Sequence, residues 1–141
     1  MISESMAEQS VLPRVLVVDD AMSNRKMLSR LLRSRCRSVE EAADGQEALK
    51  KVLESLTATS DLQYDIMDGP TATEEIRRAG FKGLIFGLTG NVLESDIEFF
   101  IAHGANYVLT KPFDAKLYDK LVIESRKYRY SITTKELVSG R

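Results

Sequence analysis

A single cysteine and a single histidine stand in 141 residues, and tryptophan is absent. The lone cysteine, Cys36, excludes an internal disulfide and any zinc site built on paired thiolates, as a reducing cytosol would favour. The lone histidine, His103, excludes a two-histidine metal site or relay. Charge of one sign is lacking too. Twenty Lys and Arg face 21 Asp and Glu, for a formal charge of −1, so there is no overall basic field for nucleic acid or anionic lipid. Apolar runs such as Val15–Val18 are far too short to span a membrane. The opening Met1-Ile2-Ser3-Glu4-Ser5 is polar and unlike a signal peptide. Walker loops, G-x-G-x-x-G runs, helix-turn-helix modules, internal repeats and low-complexity tracts are all missing. What is present is 43% apolar residues, enough for one core at this length. These features predict one soluble cytoplasmic domain over 14–127, between tails at 1–13 and 128–141.

The apolar pattern alternates between two periods. Arg14–Val18 is apolar at consecutive positions and predicts a strand buried on both faces, as parallel sheets require. Further strands are expected at 84–88 and 106–110, with a weaker edge strand at 38–42. Helical spacing predicts helices over 23–33, 46–57, 71–79, 93–103 and 115–127, with Ser23 and Asn24 as candidate caps of the first. Strands alternating with helices point to a parallel α/β sheet covered on both faces. One strand is short: between the second and third helices only Gln63-Tyr64-Asp65-Ile66-Met67 offers itself.

In an open parallel sheet, ligands collect at the carboxyl ends of the strands. Three of these strands end on Asp19-Asp20, Thr89 and Lys111. Each ending is commonplace alone, since a solvated loop start or a plain turn reads the same way. Together they set an acidic pair, a hydroxyl and an ammonium on one edge. The carboxylates are hard oxygen ligands suited to Mg²⁺, and the other two groups suit phosphoryl oxygens.

This constellation resembles the receiver domain of response regulators. The matching stretches are Val15-Leu16-Val17-Val18-Asp19-Asp20, Asp44-Gly45-Gln46-Glu47-Ala48, Met67-Asp68-Gly69-Pro70, Gly87-Leu88-Thr89-Gly90-Asn91 and Lys111-Pro112-Phe113-Asp114. Ser23-Asn24-Arg25-Lys26-Met27-Leu28 and Pro70–Arg77 are most similar to receivers of hybrid histidine kinases. The resemblance implies a flavodoxin-like doubly wound sheet of five parallel strands, order 2-1-3-4-5, with the third truncated. It also implies a non-enzymatic phosphorelay module that takes a phosphoryl group from a histidine kinase or histidine phosphotransfer protein. Mg²⁺ would lie on Asp19 and Asp20, and Thr89 and Lys111 would contact the phosphoryl group. Neither nucleic-acid binding nor membrane insertion is implied.

Two departures bear on function. Counted against the family motif, about nine residues are absent around the third strand, including the phosphoacceptor and its Met-Pro loop. Tyr64-Asp65-Ile66 reads as the start of that strand, and Met67-Asp68-Gly69-Pro70 as the loop beyond the acceptor. Asp61, Asp65 and Asp68 are the candidate substitutes. Asp61 lacks a credible strand before it, Asp65 begins a strand instead of ending one, and Asp68 matches the later Met-Asp-Gly. The plain alternative is that all three are surface loop carboxylates. Secondly, Val108 stands where members often carry Tyr or Phe, and the adjacent Tyr107 should face the other side of the sheet. The expectation is a receiver impaired in phosphoacceptance, or else a pseudo-receiver that binds a partner without phosphorylation. A haloacid-dehalogenase-like phosphatase is a remote third reading, because Asp19-Asp20-Ala21-Met22 lacks the Asp-x-Asp such enzymes use. Cys36 reads as a small, partly buried filler, and His103 as a cation at a helix end. Arg30, Arg33, Arg35 and Arg37 read as a solvated face.

Overall fold

The computed structural model describes residues 12–57, 64–69, 72–90 and 93–127. The proposed tails, apart from residues 12 and 13, and the candidate Asp61 lie outside the described residues. Five strands and five helices alternate: β1 (Arg14–Val18), α1 (Met22–Leu32), β2 (Ser38–Ala42), α2 (Gly45–Thr57), β3 (Tyr64–Asp68), α3 (Thr73–Arg78), β4 (Ile85–Thr89), α4 (Glu94–His103), β5 (Tyr107–Thr110) and α5 (Ala115–Lys127). The strands form one sheet in the order β2-β1-β3-β4-β5. Every pairing is parallel. Because a strand followed by a helix and a parallel strand crosses over with one hand, this order places helices on both faces.

Side-chain alternation divides the apolar residues into two cores. Leu16, Val18, Ile66 and Ile85 face Ala48 and Val52 of α2, Ile76 of α3 and Phe100 of α4. Val15, Val17, Met67 and Phe86 face Leu28 and Leu32 of α1 and Tyr118 and Leu121 of α5. Tyr107 lies in this second core, its ring stacked on Phe86 at 5.1 Å, while Val108 lies in the first. That places Tyr107 on the opposite face from Val108, as expected.

Several local expectations are corrected. Helix α1 starts at Met22 with Ala21 as its cap residue, and neither Ser23 nor Asn24 caps it. The amide of Ala21 donates to Asp19 Oδ1 at 2.8 Å, so the carboxylate two residues earlier holds the residue that precedes the helix. Asn106 precedes β5 rather than starting it. Its Oδ1 accepts from the amide of Ile85 at 2.9 Å and from Arg77 Nη2 at 2.7 Å. Arg77 also donates to the carbonyls of Gly104, Phe81 and Gly83. Burial pulls this guanidinium down to about 10, still far above neutral, so it stays charged while satisfying four oxygens. Gly104 ends α4 at φ 115, a left-handed position that glycine adopts at little cost.

The largest correction concerns β3. Asp68 is a strand residue, not part of a loop, and Met67 belongs to the strand as the candidate Gln63–Met67 had it. All five residues of β3 are buried. Arg14–Val18 pairs with Tyr64–Asp68 position by position. Both Asp65 and Asp68 are 0% exposed, so neither is a surface carboxylate. The reason is tertiary: β1 is apolar on both faces and needs a hydrogen-bonded neighbour on each side, which draws Met67 and Asp68 into the sheet.

Candidate functional site at the carboxyl edge of the sheet

The strand register assembles the site. Val18 pairs with Ala42 on one side and with Asp68 on the other, and Asp68 pairs in turn with Gly87. Thr89, the last residue of β4, pairs with Thr110 of β5. Asp19-Asp20, Asp68, Thr89 and Lys111 therefore share one edge. Backbone bonds carry the register past the strand ends: Asp19 donates to Ala42 O at 3.2 Å, Gly69 to Val18 O at 3.2 Å, and Lys111 to Thr89 O at 2.9 Å. The expected convergence of Asp19, Asp20, Thr89 and Lys111 on this edge is present.

Their environments differ. Asp19 is buried, with Oδ1 committed to the Ala21 amide. Asp20 and Lys111 are exposed, and Thr89 is buried. Asp68 Oδ2 accepts from the amide of Ala72 at 2.9 Å and from the hydroxyl of Thr73 at 2.7 Å. Asp65 lies far down the strand, paired with Val15, and its charge bears on Cys36, Tyr107 and Tyr118 in the second core. It does not belong to this edge.

Three residues of the neighbourhood escaped the sequence reading. Arg25 Nη1 donates to the Asp19 carbonyl at 2.9 Å, and its Nε reaches Glu41 Oε1 at 3.4 Å. Lys26 Nζ lies 3.0 Å from Glu41 Oε2. Burial pushes the Glu41 carboxyl up, but the Lys26 hydrogen bond and charge outweigh it, with help from Arg25, and the group sits below the usual range. The signal available was position alone: Glu41 is the next-to-last residue of β2, and Arg25 and Lys26 lie in the first half of α1.

The donor chemistry fits Mg²⁺ in a limited way. Two neighbouring carboxylates, one of them exposed, suit an ion that keeps most of its waters. Among the described residues no group of three or more His, Cys, Asp or Glu side chains is gathered as a metal cage. No helix of the described residues is long and apolar enough to cross a membrane.

Comparison with known proteins gives a consistent result. The family model for the response regulator receiver domain matches residues 15–122. Two-component system protein A of Emericella nidulans is 32% identical over 111 residues, a match covering 74% of this chain but only 16% of that protein. Two-component response regulator ORR41 of Oryza sativa is 30% identical over 122 residues, covering 82% of this chain and 94% of the rice protein. Among solved structures, the receiver domain of the histidine kinase CKI1 from Arabidopsis thaliana, complexed with Mg²⁺ and BeF₃⁻, aligns with a TM-score of 0.66 at 27% identity. That alignment covers 84% of this chain and 95% of the other.

Proposed function

Because the chain belongs to the response regulator receiver domain family, whose members act in two-component phosphorelays, we propose that it is a relay module with impaired phosphoacceptance. In this reading the partner is a histidine kinase or a histidine phosphotransfer protein. Asp19 and Asp20 hold Mg²⁺, and Thr89 and Lys111 receive phosphoryl oxygens. When bound, the ion offsets negative charge on an in-line phosphoryl transfer. The chain's own groups then position the donor: an exposed ammonium at Lys111, a hydroxyl at Thr89 and the acidic pair opposite. The observation that carries this reading is the strand register, which brings the ends of β1, β3, β4 and β5 to one edge.

Impairment follows from the only described aspartate ending β3. Transfer needs a carboxylate free to meet the donor in line, whereas Asp68 is fully buried and already holds two donors. Intact-mass measurement after incubation with acetyl phosphate and Mg²⁺ should show no phosphoryl adduct. A hydroxylamine-labile adduct on one aspartate would overturn the impairment and name the acceptor. Calorimetric titration should show weak Mg²⁺ binding that Asp20→Asn abolishes, and equal affinity in the two proteins would remove the metal from the site. The burial of Asp68 also favours a second reading, a pseudo-receiver that binds its partner without phosphorylation.

A further inference from the structure

We propose that the Asp68 carboxylate is an internal latch that holds Ala72 and Thr73, at the start of α3, against the end of β3 independently of phosphorylation. The inference rests on the receiver reading for its consequence, but its geometry stands on separate observations.

Asp68 is the last residue of β3, and its backbone is held between β1 and β4 by pairing with Val18 and Gly87. Alternation puts its side chain on the face of Tyr64 and Ile66, which is the face α3 covers through Ile76. There Oδ2 takes both the Ala72 amide and the Thr73 hydroxyl. All three residues are buried, with Asp68 0%, Ala72 1% and Thr73 5% exposed. The cap residue itself, Ala72, accepts from the Ile76 amide through its carbonyl but has no side-chain oxygen to offer α3. A buried amide left without an acceptor is costly, and a bond to a carboxylate is among the stronger ones. Asp68 therefore holds the two residues at which α3 begins, although it does not cap the helix amides. At the other end of the helix, Arg77 holds the carbonyls of Phe81, Gly83 and Gly104. Helix α3 is pinned at both ends.

The consequence is a division of labour unlike that of a switch. A carboxylate that must accept a group has to exchange its partners during the reaction. Asp68 cannot release Ala72 and Thr73 without uncovering buried donors at the start of α3. The start of α3 is thereby held against the end of β3.

The test is amide hydrogen exchange on the full chain, with Thr73→Val and Asp68→Ala as variants. The Ala72 amide should be protected in the native chain and exchange about tenfold faster in Asp68→Ala, in keeping with the loss of a charge-assisted bond. Thr73→Val keeps the amide bond and should speed Ala72 exchange by less, while leaving β1 and α2 protection unchanged. If Asp68→Ala does not fold, Thr73→Val still decides the matter, because unchanged exchange at the Ala72 and Thr73 amides would overturn the latch. So would an unprotected Ala72 amide in the native chain, or a phosphoryl adduct on Asp68. Failure of the native chain to bind a histidine phosphotransfer protein would instead count against the relay reading, and protection of Ala72 would still support the latch.

Discussion

Cys36 shows how far a single side chain can be read. It was expected as a small, partly buried filler, and it is more deeply buried than that, 7% exposed with Sγ 3.8 Å from the Tyr118 hydroxyl. Burial pushes its thiol from 9.0 up to about 11. The charges of Asp65 and Asp119 push the same way, and the Tyr118 hydrogen bond pulls against them. Between these values the unfolded chain releases a proton that the folded chain keeps, so stability falls as pH rises. The contribution is whole below about pH 9 and lost as pH passes through about 11. Tyr107, pushed by burial to about 12, extends the decline further. Urea midpoints should therefore drop from pH 9 to pH 11, and drop less in Cys36→Ala. Equal slopes in the two proteins would remove Cys36 from the account. The same burial should make the thiol react with disulfide reagents far more slowly in the folded chain than in urea.

Among the elements, β4 and α4 meet closely, and the contact depends on a missing side chain. A Cβ at Gly87 would stand 2.3 Å from Phe100 Cδ1 and 2.6 Å from Cγ, well inside van der Waals contact. Phe100 is 3% exposed and cannot swing into solvent without uncovering the first core. Gly87→Ala should lower stability by about 1–3 kcal/mol, the usual scale for overpacking. Adding Phe100→Leu to that variant should cost less than the two single changes combined, because the second relieves the clash made by the first. Denaturant midpoints of the four proteins measure this, and strict additivity would refute direct contact. Glycine inside a strand already marks a site of close approach. The strand at 84–88 was thus legible to within a residue at each end. It runs Ile85–Thr89 instead because the shift to Thr89 is set by pairing with Thr110, which no local pattern reveals.

For the whole molecule, the expectation that a stretch around β3 is absent bears most on behaviour, since β3 occupies the centre of the sheet with both of its edges paired. Inserting a receiver-type segment, with its acceptor aspartate and Met-Pro loop, between Ile66 and Met67 should have two effects. Acetyl phosphate and Mg²⁺ should then give an adduct on the inserted aspartate. The melting temperature should also rise, because each further apolar side chain fully buried contributes roughly 1.5–3 kcal/mol against a net stability of about 5–15 kcal/mol. Mass spectrometry and calorimetry on the same preparation separate these effects. A folded insert that stays unphosphorylated would show that the edge lacks more than an acceptor.

The alternation of elements, the parallel α/β class and the residues at three strand ends were determined by the sequence alone. Apolar periodicity is a local property, and Asp19, Asp20, Thr89 and Lys111 follow directly on strongly patterned strands. The roles of Asp65, Asp68 and Asn106 were decided only by tertiary structure. Against the family motif Met67-Asp68-Gly69-Pro70 reads as a loop, and Asp65 and Asp68 read as solvated carboxylates. Pairing with β1 makes them strand residues, and the helices over both faces bury them. Burial then dictates their bonds, because a polar group removed from water must find partners within the fold. Asp68 finds Ala72 and Thr73, and Asn106 finds Ile85 and Arg77. Such partnerships depend on register between strands distant in sequence, and register is a property of the sheet, not of any one segment.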